Sequence, residues 1–164
     1  MEALARSGHF AQVVIADGNL PVGAVKGPNP ATVHLNFSPG LLDALTVLEG
    51  ILEVCPVQGA IVMEKPAEAN AEIHDAYKKL LGEVSWIEME RWAFYDKIRE
   101  PATTLIIQTG EKRRFANLIL TVRVVKMAEE SRFYEASILF INSLLSPQIQ
   151  HSPDVKFTFT ELLI

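Results

Sequence analysis

Gly8-His9-Phe10-Ala11-Gln12-Val13-Val14-Ile15-Ala16-Asp17-Gly18-Asn19-Leu20-Pro21 is the stretch on which the fold turns. Val13, Val14 and Ile15 are β-branched, apolar and too few for a helix, so they read as a short buried strand. Asp17-Gly18-Asn19 is a turn signal, and Pro21 forbids simple continuation. A histidine therefore precedes the strand and a carboxylate stands at its carboxyl end. In an open α/β sheet, ligands bind at that end. A chain that folds back there brings His9 and Asp17 to one pocket. The plainer reading makes His9 a cap on the preceding helix and Asp17 only a turn former.

Working outward, residues 1–7 read as the end of a helix stopped by Gly8. After Pro21, the run through Gly23, Gly27, Pro28, Asn29 and Pro30 reads as loop. Residues 33–37 alternate like a half-buried strand. Ser38 reads as a helix cap with Pro39 at the first helical position. Leu41, Leu42, Leu45, Leu48, Ile51 and Leu52 then form one helical stripe. A buried strand over 60–63, an amphipathic helix over 67–81 bearing His74 and Tyr77, and a short strand Ser85–Met89 follow. A helix over 94–100 ends at Pro101. Thr103–Gln108 is the clearest strand, and after the turn at Thr109-Gly110-Glu111 another runs over 118–125. Strands alternating with helices predict an α/β layered sandwich, a central sheet flanked by helices. Residues 1–125 read as one domain. Residues 126–164 read as an atypical C-terminal extension, packed on that domain or on a neighbouring subunit. Within the extension, 133–145 reads as a buried helix or a membrane-surface segment, 146–153 as loop and 155–160 as an edge strand.

The 164 residues suffice for one domain with a real core, and 49% hydrophobic with 21% charged residues is a globular composition. The formal charge of −5 points away from broad nucleic-acid binding. The single cysteine, Cys55, forms no intrachain disulfide and reads as a small buried hydrophobe. Glu2 and Arg6 interrupt any apolar leader, and no run of about 20 apolar residues appears, so a cytoplasmic location away from membranes is expected. There is no phosphate loop, dinucleotide fingerprint or paired-cysteine site. The four histidines are scattered, so no metal is expected.

Three motifs in order carry a resemblance. Gly8-His9, Asp17 and Leu20-Pro21 form the first. Arg91-Trp92-Ala93-Phe94-Tyr95 is the second. Thr109-Gly110-Glu111 followed by Phe115-Ala116-Asn117 is the third. Over residues 1–125 the chain resembles the ribose pyranase and fucose mutarotase family, and the Arg91 segment, close to that family's Arg-Phe-Ala-Phe-Tyr, favours the fucose branch. The resemblance implies a ribose pyranase-like fold and a cofactor-independent isomerase interconverting the α and β anomers of L-fucose or a related reducing monosaccharide. It implies a cytoplasmic homo-oligomer, in some members a decamer, with sites near subunit contacts. It assigns proton donation to His9 and sugar contacts to Asp17, Arg91, Phe115, Ala116 and Asn117.

The chemistry of those residue types agrees. Opening a sugar ring needs a proton delivered to the ring oxygen and one removed from the anomeric hydroxyl. An imidazole, with a reference pKa of about 6.5, moves protons either way near neutrality. A carboxylate at Asp17 holds hydroxyls by charged hydrogen bonds or orients the imidazole. Arg91 offers a fork of donors, and Asn117 both donates and accepts. Trp92, Phe94 and Tyr95 are candidates for a flat sugar-facing wall, or plain core aromatics. Lys112-Arg113-Arg114 reads chiefly as a solvated turn. Three departures bear on activity. Phe115 replaces the family's tyrosine, Ala116 replaces a glycine, and His34 stands where the fucose branch often has arginine. The alternatives to a fucose-type mutarotase are a non-catalytic sugar-binding relative, a ribose pyranase and, more remotely, a metal-dependent isomerase.

Overall fold

The computed structural model describes residues 2–66, 68–69 and 72–124. The strand read from Val13, Val14 and Ile15 is β1, Gln12–Ala16, and all five of its residues are buried. A strand buried on both faces belongs in a sheet interior with a layer on each side. β5 (Thr103–Gln108) lies parallel on one flank of β1, and β6 (Leu118–Val122) lies antiparallel on the other. β2 (Ala31–His34) adds parallel to β5, β3 (Val57–Met63) pairs antiparallel with β6, and β4 (Ser85–Met89) closes the far edge parallel to β3. The order across this mixed six-stranded sheet is β2-β5-β1-β6-β3-β4. Among the described residues, β6 is the one strand that runs against its neighbours. The segment between Gln108 and Leu118 is shorter than the dozen or more residues a parallel crossover needs, so the chain returns antiparallel.

Side chains alternate across the sheet. Val13, Ile15, Leu105, Ile107, Leu118 and Leu120 face the cluster covered by α3 (Ala44–Leu52) and α4 (Glu72–Leu81), with Ala3 and Leu4 of α1 (Glu2–Ala5) packed beside it. Val14, Ala16, Ile106 and Ile119 face α2 (Val22–Val25) and α5 (Arg91–Arg99). The α/β layered sandwich expected from the sequence is therefore the observed fold. Cys55 is buried and unpaired, as its reading required.

Several local expectations need correction. The stretch after Pro21 is not all loop: Val22 and Val25, three apart, are both buried and hold one helical turn. The strand expected at 33–37 lies at Ala31–His34, where its residues pair in register with Leu105 to Gln108 of β5. Ser38 and Pro39 do not open the next helix. Asp43 does, its Oδ1 accepting from Thr46 N at 2.9 Å. Residues 38–42 instead turn over Gly110, with Gly40 N donating to Gly110 O (2.6 Å) and Gly110 N to Leu42 O (3.1 Å). Leu41 and Leu42 consequently leave the helical stripe and are exposed. The helix expected over 94–100 starts earlier, because Glu90 caps it through Oε2, which accepts from Trp92 N (2.7 Å) and Ala93 N (3.3 Å). Glutamate is not among the favoured capping residues, so this start carried no sequence signal. The expected extension at 126–164, with its segments 133–145, 146–153 and 155–160, lies outside the described residues. Among the described residues, no helix is long and apolar enough to cross a membrane.

Candidate functional site

Asp17 follows β1 directly and is 3% exposed. Its Oδ1 accepts from Asn19 N and Leu20 N, each at 2.9 Å, which is the Asx-type turn that Asp-Gly-Asn predicts. Its Oδ2 accepts from Asn117 Nδ2 at 2.9 Å, while its backbone N donates to Asn117 Oδ1 at 2.9 Å. This reciprocal pair ties the end of β1 to the start of β6, a hundred residues later in the chain. Burial pushes the Asp17 carboxyl above its ordinary value, and the hydrogen bonds from Asn19, Leu20, Ala116 and Asn117 oppose the shift.

Around this pair opens a cavity of about 270 Å³ at the carboxyl ends of β1 and β3. Arg91 reaches it from the first position of α5, and Tyr95 lines it from one turn further on. Arg114, Phe115, Asn117, Asn19, Leu20 and Met63 complete the lining. Asp17, Arg91, Phe115 and Asn117 thus line one cavity. Ala116 is buried beneath them and its φ is not positive, so the missing glycine carries no conformational penalty there. Phe115 is the strained residue, with φ +61°.

Two side chains of α4 support that strained turn. The Nε2 of His74 lies 2.9 Å from the Phe115 carbonyl oxygen, and Tyr77 Oη donates to the Ala116 carbonyl at 2.7 Å. Both are buried, and burial, reinforced by the Glu111 charge, drives the Tyr77 phenol well above its ordinary pKa. His74 and Tyr77 were legible only as residues on a helix, because the carbonyls they hold come from a distant segment.

His9 is elsewhere. It precedes the amino end of β1, whereas Asp17 follows its carboxyl end. The five intervening strand residues span about 17 Å. Within one protomer the two residues do not share a pocket, contrary to the fold-back expected above. His9 is exposed, its ring 3.8 Å from that of Phe10, which is 62% exposed and holds φ +65°.

The basic run divides. Arg113 is bound by the buried Glu111 through Nε to Oε1 (2.8 Å) and Nη2 to Oε2 (2.6 Å), and Arg114 turns to the cavity. Burial opposes ionisation of Glu111, but the Arg113 hydrogen bonds outweigh it and hold the carboxyl at about 2. Of the three candidate wall aromatics, Tyr95 lines the cavity, Phe94 is core and Trp92 is 67% exposed. His34 sits on the exposed edge strand, its Nδ1 3.0 Å from Gln108 Oε1. No group of three or more histidine, cysteine, aspartate or glutamate side chains among the described residues is placed to hold a metal ion.

A family model described as the RbsD / FucU transport protein family matches residues 1–125. The chain belongs to the RbsD / FucU family. D-ribose pyranase 2 of Streptomyces griseus is 32% identical over 120 residues, 72% of this chain and 85% of that protein. The fucose mutarotase of Mus musculus is 26% identical over 132 residues, 72% of this chain and 82% of its own. The structure of Bacillus subtilis RbsD complexed with D-ribose superposes with a TM-score of 0.68 at 25% identity, covering 76% of this chain and 91% of that one. The RbsD / FucU family therefore contains proteins named for both sugars, and the Arg91 segment does not decide between them.

Proposed function

We propose that this protein interconverts the α and β anomers of a reducing monosaccharide by cofactor-independent acid–base catalysis, with L-fucose the first substrate to test and D-ribose the second. The observation that carries the reading is the buried Asp17–Asn117 pair walling a cavity that Arg91 also enters. The Asp17 carboxylate, held by Asn19, Leu20, Ala116 and Asn117, lines the cavity and is the acceptor there for a sugar hydroxyl, while Arg91 and Asn117 grip its neighbours. Tyr95 supplies an aromatic wall.

Ring opening then requires a group that delivers a proton to the ring oxygen and one that takes the anomeric proton. In this reading His9 of a second copy does so, in a homo-oligomer whose subunit contacts bring it to the neighbour's cavity. The exposed His9–Phe10 pair supports this, since an aromatic so exposed on a left-handed backbone suits a surface that another subunit covers. General acid–base help of about 10²–10⁴-fold suffices for a reaction that already proceeds in water.

Saturation-transfer NMR on L-fucose and on D-ribose at equilibrium tests the proposal. Faster anomer exchange than in buffer is expected, lost in His9→Ala and in Arg91→Ala. A mixture of the two variants, dissociated and reassembled, regains exchange if each site takes His9 from one copy and Arg91 from another. No exchange above buffer with either sugar, from folded protein that binds them, would leave the second reading. That reading is a sugar-binding relative without catalysis, and Phe115, which lacks the family's phenolic hydroxyl, favours it.

A further inference from the structure

The arginines of the described chain divide by whether a carboxylate holds them. Arg6 pairs with Glu2 at 2.7 Å, Arg99 with Asp96 at 2.6 Å, and Arg113 with Glu111 at 2.6 Å. Among the described residues, Arg91, Arg114 and Arg123 form no such pair, and of these Arg91 and Arg114 line the Asp17 cavity. Asp17, the one acidic group in that lining, is already engaged by Asn19, Leu20 and Asn117. Arg114 lies over the Phe115 ring, 5.3 Å from its centroid, and a planar cation on an aromatic face is held at the cavity wall. Arg114 and Phe115 also line a second cavity of about 330 Å³, together with Glu72 and with Arg113, which is bound to Glu111. Among the described residues, the lining of the Asp17 cavity therefore carries two arginines against one carboxyl, on a chain whose formal charge is −5.

Neutral hydroxyls need hydrogen-bonding partners, which Asp17, Asn117 and one arginine already offer. Two uncommitted guanidinium forks facing one small cavity match a group with several anionic oxygens. We propose that the sugar this pocket takes carries an anionic substituent, a phosphate or a carboxylate, held by Arg91 and Arg114. The inference rests on the reading of the cavity as a sugar site. It makes Arg114 a specificity-determining residue. The volume, below the usual range of drug-sized pockets, suits one ring with one substituent.

Calorimetric titrations in low salt would compare D-galactose with D-galacturonate and D-galactose 6-phosphate, and D-ribose with D-ribose 5-phosphate. At least one acid is expected to bind about tenfold or more tightly than its neutral parent, with the preference shrinking as salt rises. Whether the uronate or the phosphates show it identifies the anionic group. Arg114→Gln is expected to cut the acid-to-neutral preference about tenfold, and Arg114→Lys to keep part of it. Equal binding of acids and parents, a preference untouched by Arg114→Gln, or competition by inorganic phosphate as strong as that of the sugar acids would each overturn the proposal. Anomer exchange is read separately by NMR. Preferred binding of an acid without accelerated exchange would count against the catalytic reading and leave this one standing.

Discussion

Phe115, Ala116 and Asn117 are three successive residues with three separate tasks, and each task is set by a partner far away in the chain. Tyr77 holds the Ala116 carbonyl. Tyr77→Phe keeps the ring and leaves that buried carbonyl without its donor, so unfolding free energy is expected to fall by about 1–3 kcal/mol in urea titration. Sugar affinity should fall with it, because Asn117 loses the support of its preceding turn. A variant as stable as the parent and binding as well would remove Tyr77 from the site. Phe115→Tyr tests the departure from the family pattern. The ring already lines the cavity, so the added hydroxyl meets ligand space, and a tenfold or greater gain in anomer exchange is expected if the phenol takes part in proton movement. Unchanged exchange would confine residue 115 to packing. The identities of these residues were legible from the chain alone. The strain at Phe115 was not, since nothing in Arg-Phe-Ala requires a positive φ.

The elements show where local signals were enough. β1, β4 and β5 followed from β-branched runs and turn residues, and their edges were nearly right. The helix α3 did not, because Ser38-Pro39 is a good start signal that a contact overrides. A Cβ on Gly110 would lie 2.2 Å from Leu41 O and 2.6 Å from Ser38 O, so the turn at 38–42 packs directly on that glycine. Gly110→Ala is expected to destabilise by roughly 2 kcal/mol or more, since both clashes are with backbone. Gly50 is the contrasting case. It lies inside α3, exposed, with nothing within 4 Å of an added Cβ. Gly50→Ala should stabilise by about 0.5–1 kcal/mol through helix propensity. Thermal melts of the two variants would separate these signs, and a neutral Gly110→Ala would mean the 38–42 turn is not packed as described.

For the molecule as a whole, acid stability is tied to Glu111. Its folded pKa of about 2 lies below its ordinary value of 4.5, so its contribution is fully present above the unfolded pKa and is lost as pH falls from about 4.5 through about 2. The loss is on the order of 3 kcal/mol. Asp17 has the opposite sign: its folded pKa is raised, so ionising it as pH rises opposes folding, and protonating it in acid does not destabilise. Glu111→Gln should be less stable near neutrality and show a flatter decline between pH 5 and 2. Parallel declines in the variant and the parent would assign the acid transition to other carboxylates.

The chain by itself determined the layered fold, because hydrophobic alternation and turn chemistry act over a few residues and are written next to one another. It also singled out Asp17, Arg91, Phe115 and Asn117, four residues that line one cavity. Only the tertiary structure decided which of them meet. The Asp17–Asn117 pair exists because β6 runs back beside β1. His9 lies apart from Asp17 because a strand carries its two flanking residues to opposite ends. In the basic run, the buried Glu111 binds Arg113 while its neighbour Arg114 lines the cavity. The first of these joins segments a hundred residues apart, and no local pattern encodes it.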